Sequence, residues 1–320
     1  MKKNKIKDTG LEITELSFGT SSLGSMPDTY GYEVPEDRAQ KTLNRFFQGP
    51  VNMLDTSRNY AMGESEKRIG RAIKENGGWP KDFLLSTKLD RNMDTLVLDK
   101  NRARESLEES LKTLNVDSVD ILFLHDPEYA KDITDITKKD GAMDELFKIK
   151  NEGLAKAVGV AMGKVDIMFP LLKDWDFDVV INHNRYTLIN REANEMYDYA
   201  YSKNIAIFNA APYAGGVLAK GPDNFKKVTY QDASEEKLAP AREFEKVCKK
   251  HNVEMGAAAL QFSLRDKRIA STICGVTSIE SIEKNLKWAN CEISLEFWEE
   301  VLKLPFSSND PESDRIFTPG

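Results

Sequence analysis

Eight short apolar runs, each followed by a longer amphipathic segment, constrain the fold of this 320-residue chain more than any other feature. The runs are rich in Val, Ile, Leu and Phe, which is typical of strands that are buried on both faces of a parallel sheet. Strict alternation of strands with helices predicts such a sheet. In chain order the runs are Leu16–Gly19, Val51–Asp55, Phe83–Lys88, Val119–His125, Ala155–Val160, Asp178–Asn182, Ile205–Asn209 and Ala270–Cys274.

Two α/β architectures surround a parallel sheet with helices: a closed barrel and an open, doubly wound sheet. The open sheet usually carries the pattern GxGxxG after its first strand, and Gly19–Gly24 lacks that pattern. We therefore predict an α/β fold with a single (β/α)8 TIM barrel domain over residues 1–320. An N-terminal β-hairpin turning at Asp8–Gly10 is expected to plug the barrel bottom. The polar tail Pro305–Gly320 is expected to lie extended across the barrel or to be disordered.

The balance of charges argues against polyanionic partners. The chain has 45 Lys and Arg against 52 Asp and Glu, a net charge of −7, which disfavours binding to nucleic acid or an anionic membrane. It contains no run of about 18 apolar residues that would span a bilayer. Its basic start, Met1–Asp8, lacks the apolar core of a signal peptide. We expect a cytoplasmic protein, monomeric or a small homo-oligomer, whose partner is a small molecule.

The cysteines and histidines indicate neither a disulfide framework nor a metal site. Cys248, Cys274 and Cys291 are odd in number and show no CxxC spacing, so we interpret them as reduced core thiols. The three histidines lie far apart in the sequence, and no pair has the i, i+4 spacing of a zinc site. No metal is expected.

Ionisable side chains end three successive predicted strands. Asp55 ends the second run, Lys88 the third and His125 the fourth, while Tyr60 follows in the loop after Asp55. Barrel active sites lie at the C-terminal ends of the strands, and neighbouring strands are ~4.8 Å apart, so these groups can converge. Each residue alone also fits an ordinary role as a helix cap, a surface lysine, a turn or an amphipathic aromatic. Because they occur together at the ends of successive strands, we favour an active site over these separate roles.

These four groups together suit the interconversion of a carbonyl and an alcohol. We expect the Lys88 ammonium to lower the pKa of the Tyr60 phenol, and Asp55 to keep that lysine charged and in place. Tyr60 then exchanges a proton with a substrate oxygen that His125 orients. None of these groups supplies electrons, so the hydride must be carried by a nicotinamide cofactor.

The order and spacing of these segments resemble the aldo-keto reductase family over nearly the whole chain. The resemblance implies a catalytic set of Asp55, Tyr60, Lys88 and His125 and the use of NAD or NADP. The segments that carry it are Asp55–Tyr60, Gly63–Glu66 with Gly70, Ser86–Lys88 and Leu124–His125.

The resemblance also implies where the cofactor lies. Asn182 stands where the family holds the nicotinamide carboxamide, Asn209–Leu218 resembles the loop over the pyrophosphate, and Gly275–Asn285 matches the adenosine end. Backbone N–H groups and a helix N-terminus there suit phosphate oxygens, although the last segment also reads as a simple turn and capped helix. The implied cofactor residues are Gly19, Thr20, Asn182, Asn209, Ala210, Pro212, Gly215, Gly216, Leu218, Gly275, Thr277, Ser278, Ser281, Lys284 and Asn285.

Departures from the family pattern bear on the cofactor. Ala210 stands where many members have a tyrosine that stacks on the nicotinamide, so that platform is absent or comes from Tyr213. Where NADP-preferring members often have Lys or Arg, the chain has Thr277 and Ser278, which leaves Lys284 as the basic partner for a 2′-phosphate. NAD is therefore slightly favoured over NADP. A smaller departure is alanine instead of glycine directly after the catalytic tyrosine.

A narrower resemblance is to the branch with L-fucose dehydrogenase, D-threo-aldose 1-dehydrogenase and pyridoxal 4-dehydrogenase. It rests on His125–Pro127, Asn184–Leu188 and Ala214–Leu218, and it implies oxidation of the anomeric carbon of a free aldose (L-fucose, L-galactose or D-arabinose type) to the lactone. Aromatic, Arg and Asp side chains in the loops suit a polyhydroxylated ligand as well as ordinary packing. The substrate residues we predict are Tyr30, Tyr32, Arg58, Asp126 and Arg185.

Other functions remain open from the sequence. The same fold supports an NADPH-dependent reductase of small aldehydes or ketones, including pyridoxal-like ones. A lysine on a barrel strand is also the device of a Schiff-base aldolase, although Asp55 and Tyr60 then have no required role. A non-catalytic nicotinamide-binding subunit is the remaining alternative, and the complete set of four groups argues against it.

Overall fold

The structure is a computed structural model that describes residues 1–313 and residue 315. Its centre is a closed barrel of eight strands, all parallel to their neighbours, in the order β12-β3-β4-β5-β6-β7-β8-β9. The prediction of a TIM barrel is therefore confirmed. The strands are β1 (Lys3–Ile6), β2 (Leu11–Thr14), β3 (Leu16–Gly19), β4 (Met53–Asp55), β5 (Leu84–Leu89), β6 (Val119–His125), β7 (Ala155–Met162), β8 (Val179–His183), β9 (Ala206–Ala210), β10 (Lys227–Val228), β11 (Gln231–Asp232) and β12 (Ile269–Gly275).

Amphipathic helices surround the barrel, and side chains at their ends satisfy free backbone N–H groups. The Asp99 side chain accepts from the Arg102 N–H at 2.9 Å, and Ser278 and Ser281 form a reciprocal capping box. The helices are α1 (Pro27–Tyr30), α2 (Glu36–Phe47), α3 (Glu64–Glu75), α4 (Lys100–Leu114), α5 (Thr134–Thr137), α6 (Ala142–Asn151), α7 (Val165–Asp174), α8 (Asn194–Ser202), α9 (Val217–Lys220), α10 (Glu235–His251), α11 (Met255–Leu264), α12 (Ile279–Asn290) and α13 (Leu295–Val301).

The N-terminal hairpin closes the bottom of the barrel, as its turn residues predict. β1 and β2 pair antiparallel, and Ile6, Leu11 and Ile13 are buried in the same cluster as Met53 and Phe123 from the barrel interior. The hairpin therefore seals the N-terminal end of the strands, and the opposite end is left for a site.

The two-residue period of each strand divides the core into two layers. On β8, Val179 and Ile181 belong to the interior cluster, whereas Val180 belongs to the layer between strands and helices. On β9, Phe208 faces the interior in the same way, while Ile207 faces the helices. This alternation decides which side chains at the strand ends face the mouth.

Two irregular segments lie over the mouth. The loop after α9 forms the small antiparallel hairpin of β10 and β11. The tail runs extended past it, with Ser307 bridged to Asn190 and the Pro311 carbonyl accepting from the Thr229 hydroxyl at 3.1 Å. The extended form expected for the tail is found only in its first part, because residues 311–313 form a turn in which the Ser313 N–H donates to the Asp310 carbonyl. Residues 314 and 316–320 lie outside the described residues. Within the described chain, no helix has the length and apolar character to cross a membrane.

Candidate active site

Four predicted catalytic side chains meet at the C-terminal end of the barrel. The Lys88 ammonium lies 2.8 Å from Asp55 Oδ2, and it donates to the Tyr60 hydroxyl at 3.1 Å and to the Thr56 carbonyl at 2.6 Å. The Tyr60 and His125 rings lie edge to face with centroids 5.6 Å apart. The strands place these groups together because Asp55, Lys88 and His125 all fall on inward positions.

The Asp55–Lys88 ion pair is buried and fully bonded. Lys88 is 2% exposed and Asp55 is 4% exposed, and the second carboxylate oxygen of Asp55 accepts from the Ser86 hydroxyl at 2.6 Å. A buried charge is tolerated only when it is paired and hydrogen-bonded in this way. The pair therefore fixes the ammonium beneath the Tyr60 hydroxyl.

The lowered pKa expected for Tyr60 is not found. Burial raises the pKa of Tyr60 well above its ordinary value, and the carboxylates of Asp55 and Asp126 raise it further. The Lys88 ammonium, which is shared with Asp55, does not offset these effects. Tyr60 is therefore a phenol at neutral pH, suited to donating a proton.

Two further residues at this site were missed from the sequence. Asp90 is fully buried, and its Oδ1 accepts from His125 Nδ1 at 2.5 Å. The Ser57 hydroxyl donates to Asp90 Oδ2 at 2.7 Å and lies 3.1 Å from the same ring nitrogen. The signal was available, since Asp90 follows Lys88 by two positions and a strand returns to the same face every second residue.

Asp126 presents its carboxylate from a strained backbone. Its φ is 43°, in the left-handed region that residues with a side chain rarely adopt. Its Oδ2 lies 3.7 Å from His125 Nε2, and its side chain remains 19% exposed. The residue therefore faces the mouth, where the sequence predicted a substrate contact.

The strand-end asparagines face away from the mouth. Asn182 donates to the carbonyls of Met162 and Gly163 at 3.1 and 2.9 Å and contacts the Met168 sulfur on α7. Its Oδ1 is buried and has no hydrogen-bond partner among the described residues, but it lies on the helix side of the sheet with Val180, so the predicted contact of Asn182 with the carboxamide is not supported. The side chain of the next residue, His183, points into the barrel on the same side as Val179 and Ile181, and it was not among the residues predicted from the sequence.

Asn209 is a correction to the predicted cofactor set. Its Nδ2 donates to the Tyr186 carbonyl at 3.0 Å and to the Ser263 hydroxyl at 2.8 Å, while its Oδ1 accepts from Tyr197 on α8 at 3.1 Å. The residue is fully buried. These bonds join β9 to the helix layer, because the strand alternation turns Asn209 outward. It has no free polar group for a cofactor.

The remaining predicted cofactor residues line a continuous path from β3 through β9 to α12. Gly19 pairs with Asp55 in the barrel register, and the Thr20 hydroxyl donates to the Asp55 carbonyl at 2.9 Å. Ala210 ends β9 with its side chain among the interior residues. Pro212 in the following loop and Leu218 in α9 are buried, so that only their backbone is left for a ligand.

The loop after β9 has the backbone of a phosphate cradle. Gly215 and Gly216 have φ values of 77° and 125°, a region that favours glycine. A Cβ on Gly215 would lie 2.8 Å from the Tyr230 nitrogen, so the close approach of two loops also requires glycine there. Exposed Gly275 leads into α12, whose N-terminus is capped by Ser278. Glycines beside a helix N-terminus fit a dinucleotide pyrophosphate.

At the adenosine end, the predicted residues are mostly engaged with each other. The Ser281 hydroxyl accepts from the Thr277 and Ser278 N–H groups, each at 3.0 Å. Lys284 Nζ lies 4.5 Å from the centre of the Trp288 ring. Asn285 accepts from the Tyr213 hydroxyl at 2.5 Å. A single lysine on an aromatic face is weak provision for a 2′-phosphate.

Tyr213 does not replace the missing nicotinamide platform. Its hydroxyl also lies 3.6 Å from the Cys274 sulfur, and its ring packs edge to face on Trp288 at 5.7 Å. Both partners belong to the layer between barrel and helices, so the ring is held away from the mouth. The small side chain of Ala210 leaves the inward position without an aromatic ring.

The predicted substrate residues divide into two groups. The Tyr30 hydroxyl lies 2.8 Å from that of Ser21, and its ring packs on those of Tyr32 and Tyr230 at 6.1 and 5.8 Å. These tyrosines join the first loop of the barrel to the turn between β10 and β11. The two predicted substrate tyrosines therefore pack on each other and on a neighbouring loop.

The two predicted substrate arginines are instead engaged within the protein. Arg58 lies 3.4 Å from Glu109 on α4, outside the barrel. Arg185 is 1% exposed, and its guanidinium lies 2.6 Å from Asp310 and 3.1 Å from Glu312 of the tail. A substrate would have to break buried ion pairs to reach Arg185, so we leave both arginines out of the substrate set.

The chain is similar to known proteins in sequence and in fold. The model of the aldo/keto reductase family matches residues 15–304. L-galactose dehydrogenase of Arabidopsis thaliana is 30% identical over 283 residues, covering 87% of this chain and 85% of that protein. D-threo-aldose 1-dehydrogenase of Pseudomonas sp is 27% identical over 319 residues, covering 91% and 94%. The holo form of an aldo-keto reductase from Bacillus halodurans shares the fold, with a TM-score of 0.79 at 21% identity over 99% of this chain and 100% of that one.

Proposed function

The chain belongs to the aldo/keto reductase family and is an oxidoreductase, and we propose that it oxidises the anomeric carbon of a free aldose to the lactone with NAD or NADP. The observation that carries the proposal is the hydrogen bond from Lys88 to the Tyr60 hydroxyl at 3.1 Å, with His125 edge to face against that ring. Aldoses of the L-fucose, L-galactose or D-arabinose type are the substrates we test first, since two similar proteins are named for aldose oxidation.

The reaction removes a hydride and a proton from the anomeric centre. A bound nicotinamide supplies the hydride acceptor for oxidation and the hydride donor for reduction. In oxidation, the deprotonated form of Tyr60 receives the proton of the anomeric hydroxyl, and the C–O bond becomes the lactone carbonyl. His125 orients the same oxygen and Asp126 binds a neighbouring hydroxyl. In the reverse direction Tyr60 returns the proton.

The cofactor residues of this chain fit a dinucleotide. The positive-φ glycines after β9 and the capped N-terminus of α12 suit a pyrophosphate. NAD is favoured over NADP because the predicted adenosine residues include a single basic side chain, Lys284, to bind a 2′-phosphate. We further propose that the protein acts in the cytoplasm on a small molecule, as a monomer or small homo-oligomer.

A direct assay tests the sugar oxidation. Purified protein is mixed with NAD or NADP and a panel of aldoses, and the appearance of reduced nicotinamide is followed by absorbance. We expect a signal with at least one aldose that depends on Tyr60. No signal across the panel, with protein that is folded and binds the cofactor, rejects aldose oxidation.

The raised pKa of Tyr60 favours a second candidate in the opposite direction. A phenol that stays protonated at neutral pH is a better acid than base, which suits a reductase of small aldehydes or ketones, pyridoxal-like ones included. Cofactor consumption with such carbonyls, but no reduction of cofactor with aldoses, selects this function. Tight cofactor binding without turnover in either direction selects a non-catalytic subunit.

A further inference from the structure

The His125 ring lies between two carboxylates that come from different elements. Its Nδ1 is 2.5 Å from Asp90 Oδ1, and its Nε2 is 3.7 Å from Asp126 Oδ2. Asp90 follows β5, whereas Asp126 directly follows the histidine on β6. A ring flanked on both nitrogens by carboxylates is stabilised in its positively charged form.

Hydrogen bonds around Nδ1 determine which nitrogen carries hydrogen. The Ser57 hydroxyl donates to Asp90 Oδ2 at 2.7 Å, and its oxygen accepts from the Asn59 N–H at 3.1 Å. Its single hydrogen is thus committed, so towards Nδ1 it is an acceptor. Since both neighbours of Nδ1 accept, that nitrogen is the donor, and Nε2 remains for a ligand.

Asp90 is itself held rigidly from α4. Its backbone N–H donates to the Ser106 hydroxyl at 2.9 Å, and its carbonyl accepts from Arg102 Nε at 3.1 Å. These bonds fix the backbone of Asp90, and its buried carboxylate accepts from the Ser57 hydroxyl at 2.7 Å and from the Asn59 N–H at 3.1 Å. A rigid partner of this kind fixes the orientation of the imidazole.

We propose that Asp90 is a positioning residue that fixes the Nδ1–H of His125 and favours the doubly protonated ring, so that Nε2–H is a donor to the substrate oxygen. The proposal rests on the proposed carbonyl–alcohol chemistry, in which that oxygen gains negative charge. A cationic donor fixed in place stabilises such charge better than a neutral one. Asp90 acts through His125 and does not touch the substrate.

The other charges around the ring act in both directions. Burial lowers the pKa of His125, and the Lys88 ammonium also lowers it, but Asp126 and Asp90 outweigh both, so that the pKa lies above its ordinary value. Tyr60, the remaining ionisable group against the ring, is an uncharged phenol. In return, burial raises the pKa of Asp90, but the imidazole and Ser57 lower it by more.

Histidine NMR of the full-length protein tests the proposal without any substrate. The chain has three histidines, and a His125→Asn variant assigns the signals. In the wild type we expect Nδ1 to be protonated throughout and the ring to titrate above the ordinary histidine value of about 6.5. In Asp90→Asn the midpoint should fall by about one pH unit or more, because an amide can donate to Nδ1 and favour the neutral Nε2–H tautomer.

Two variants separate positioning from a structural role. Asp90→Glu keeps a carboxylate and should retain most of the raised midpoint, and Ser57→Ala should shift it less than Asp90→Asn. If Asp90 has only a structural role, Asp90→Asn will lower the melting temperature and leave the midpoint of the His125 titration unchanged. That result overturns the proposal. If Asp90→Asn does not fold, a wild-type midpoint below the ordinary value, or an unprotonated Nδ1, overturns it equally. The titration needs no substrate, so its result does not depend on whether the protein oxidises aldoses.

Discussion

Lys88 Nζ lies 3.1 Å from the Tyr60 hydroxyl and 4.6 Å from the centre of its ring, yet the pKa of Tyr60 is well above its ordinary value. The ammonium is shared with Asp55, whose carboxylate lies closer to it than the phenol does. The lysine therefore holds the phenol in position rather than ionising it. This relationship determines how proton transfer at the site should depend on pH and on each residue.

Removal of the Tyr60 hydroxyl should abolish turnover and leave cofactor binding intact. In Tyr60→Phe we expect kcat to fall by about 100-fold or more, the usual loss of a general acid–base group. The ring still packs against His125, so the fold should be unchanged. Turnover is measured by nicotinamide absorbance and cofactor affinity by fluorescence titration. Equal loss of both would show that Tyr60 acts in binding and would contradict its role in proton transfer.

The two directions of the reaction should depend on pH with opposite sign. Oxidation needs Tyr60 without its proton, and since its pKa is raised, the oxidation rate should rise steadily as the pH increases above neutrality. Reduction needs the phenol protonated, so its rate should stay constant through neutral pH and fall only at strongly alkaline pH. Initial rates over pH in both directions check this. An oxidation rate that already levels off near pH 7 would mean that another group is the base.

The barrel and the meeting of its four catalytic groups could be predicted because their signals are local. Apolar runs mark strands, and a polar residue at the end of a run marks the C-terminal edge. The prediction did not ask whether the last residue of each strand points into the barrel or towards the helices. For this reason Asn209 was predicted as a cofactor residue and His183 was overlooked. Side chains of a strand alternate between the two faces, so the direction of the last one depends on the residue at which the strand enters the barrel.

The ion pairs of Arg185 with the tail could not be predicted in the same way. It pairs with Asp310, a residue 125 positions away, and nothing in the local sequence links the two. The direction in which the pKa of Tyr60 is shifted was missed for a related reason, since it depends on burial and on carboxylates from several strands. Long-range electrostatics requires the coordinates of every partner.

Cofactor preference should respond to charge at position 277. The Thr277 N–H is bonded to Ser281, but its side chain is outside that capping box, so the helix start survives substitution. Thr277→Arg should raise kcat/KM with NADP relative to NAD by about tenfold, the effect of one charge-assisted hydrogen bond to phosphate. Thr277→Gln, similar in length but uncharged, is the control and should not shift the ratio. An unchanged ratio in the arginine variant would place the adenosine ribose elsewhere.

The tail should be released when Glu312 loses its charge. Burial raises the pKa of Glu312, but His183, Arg185 and Arg315 lower it by more. A lowered folded-state pKa contributes stability above the unfolded value of about 4.3, and that contribution is lost as the pH falls through the folded-state pKa. Hydrogen exchange over residues 305–313 should therefore accelerate in acid.

Glu312→Gln should produce the same release at neutral pH. It leaves Arg185 buried without a full partner, so the free energy that holds the tail should fall by about 3 kcal/mol. Protease cleavage within residues 305–313 measures the opening. The matched control is Glu299→Gln, on the exposed face of α13, which should leave the tail protected. Equal protection in both variants would show that Asp310 and the backbone contacts of Ser307 and Pro311 hold the segment without the charge of Glu312.

Glycine in place of Ala61 should stabilise the protein. Ala61 has a φ of 51°, and a side chain in that region costs roughly 1–2 kcal/mol, which the added flexibility of glycine in the unfolded chain partly offsets. We therefore expect Ala61→Gly to raise the free energy of unfolding by about 0.5–1 kcal/mol, measured by urea denaturation. Ala289→Gly in the right-handed helix α12 is the control, and it should lower that energy by about 1 kcal/mol. A loss of stability in both variants would mean that contacts of the Ala61 methyl outweigh its backbone strain.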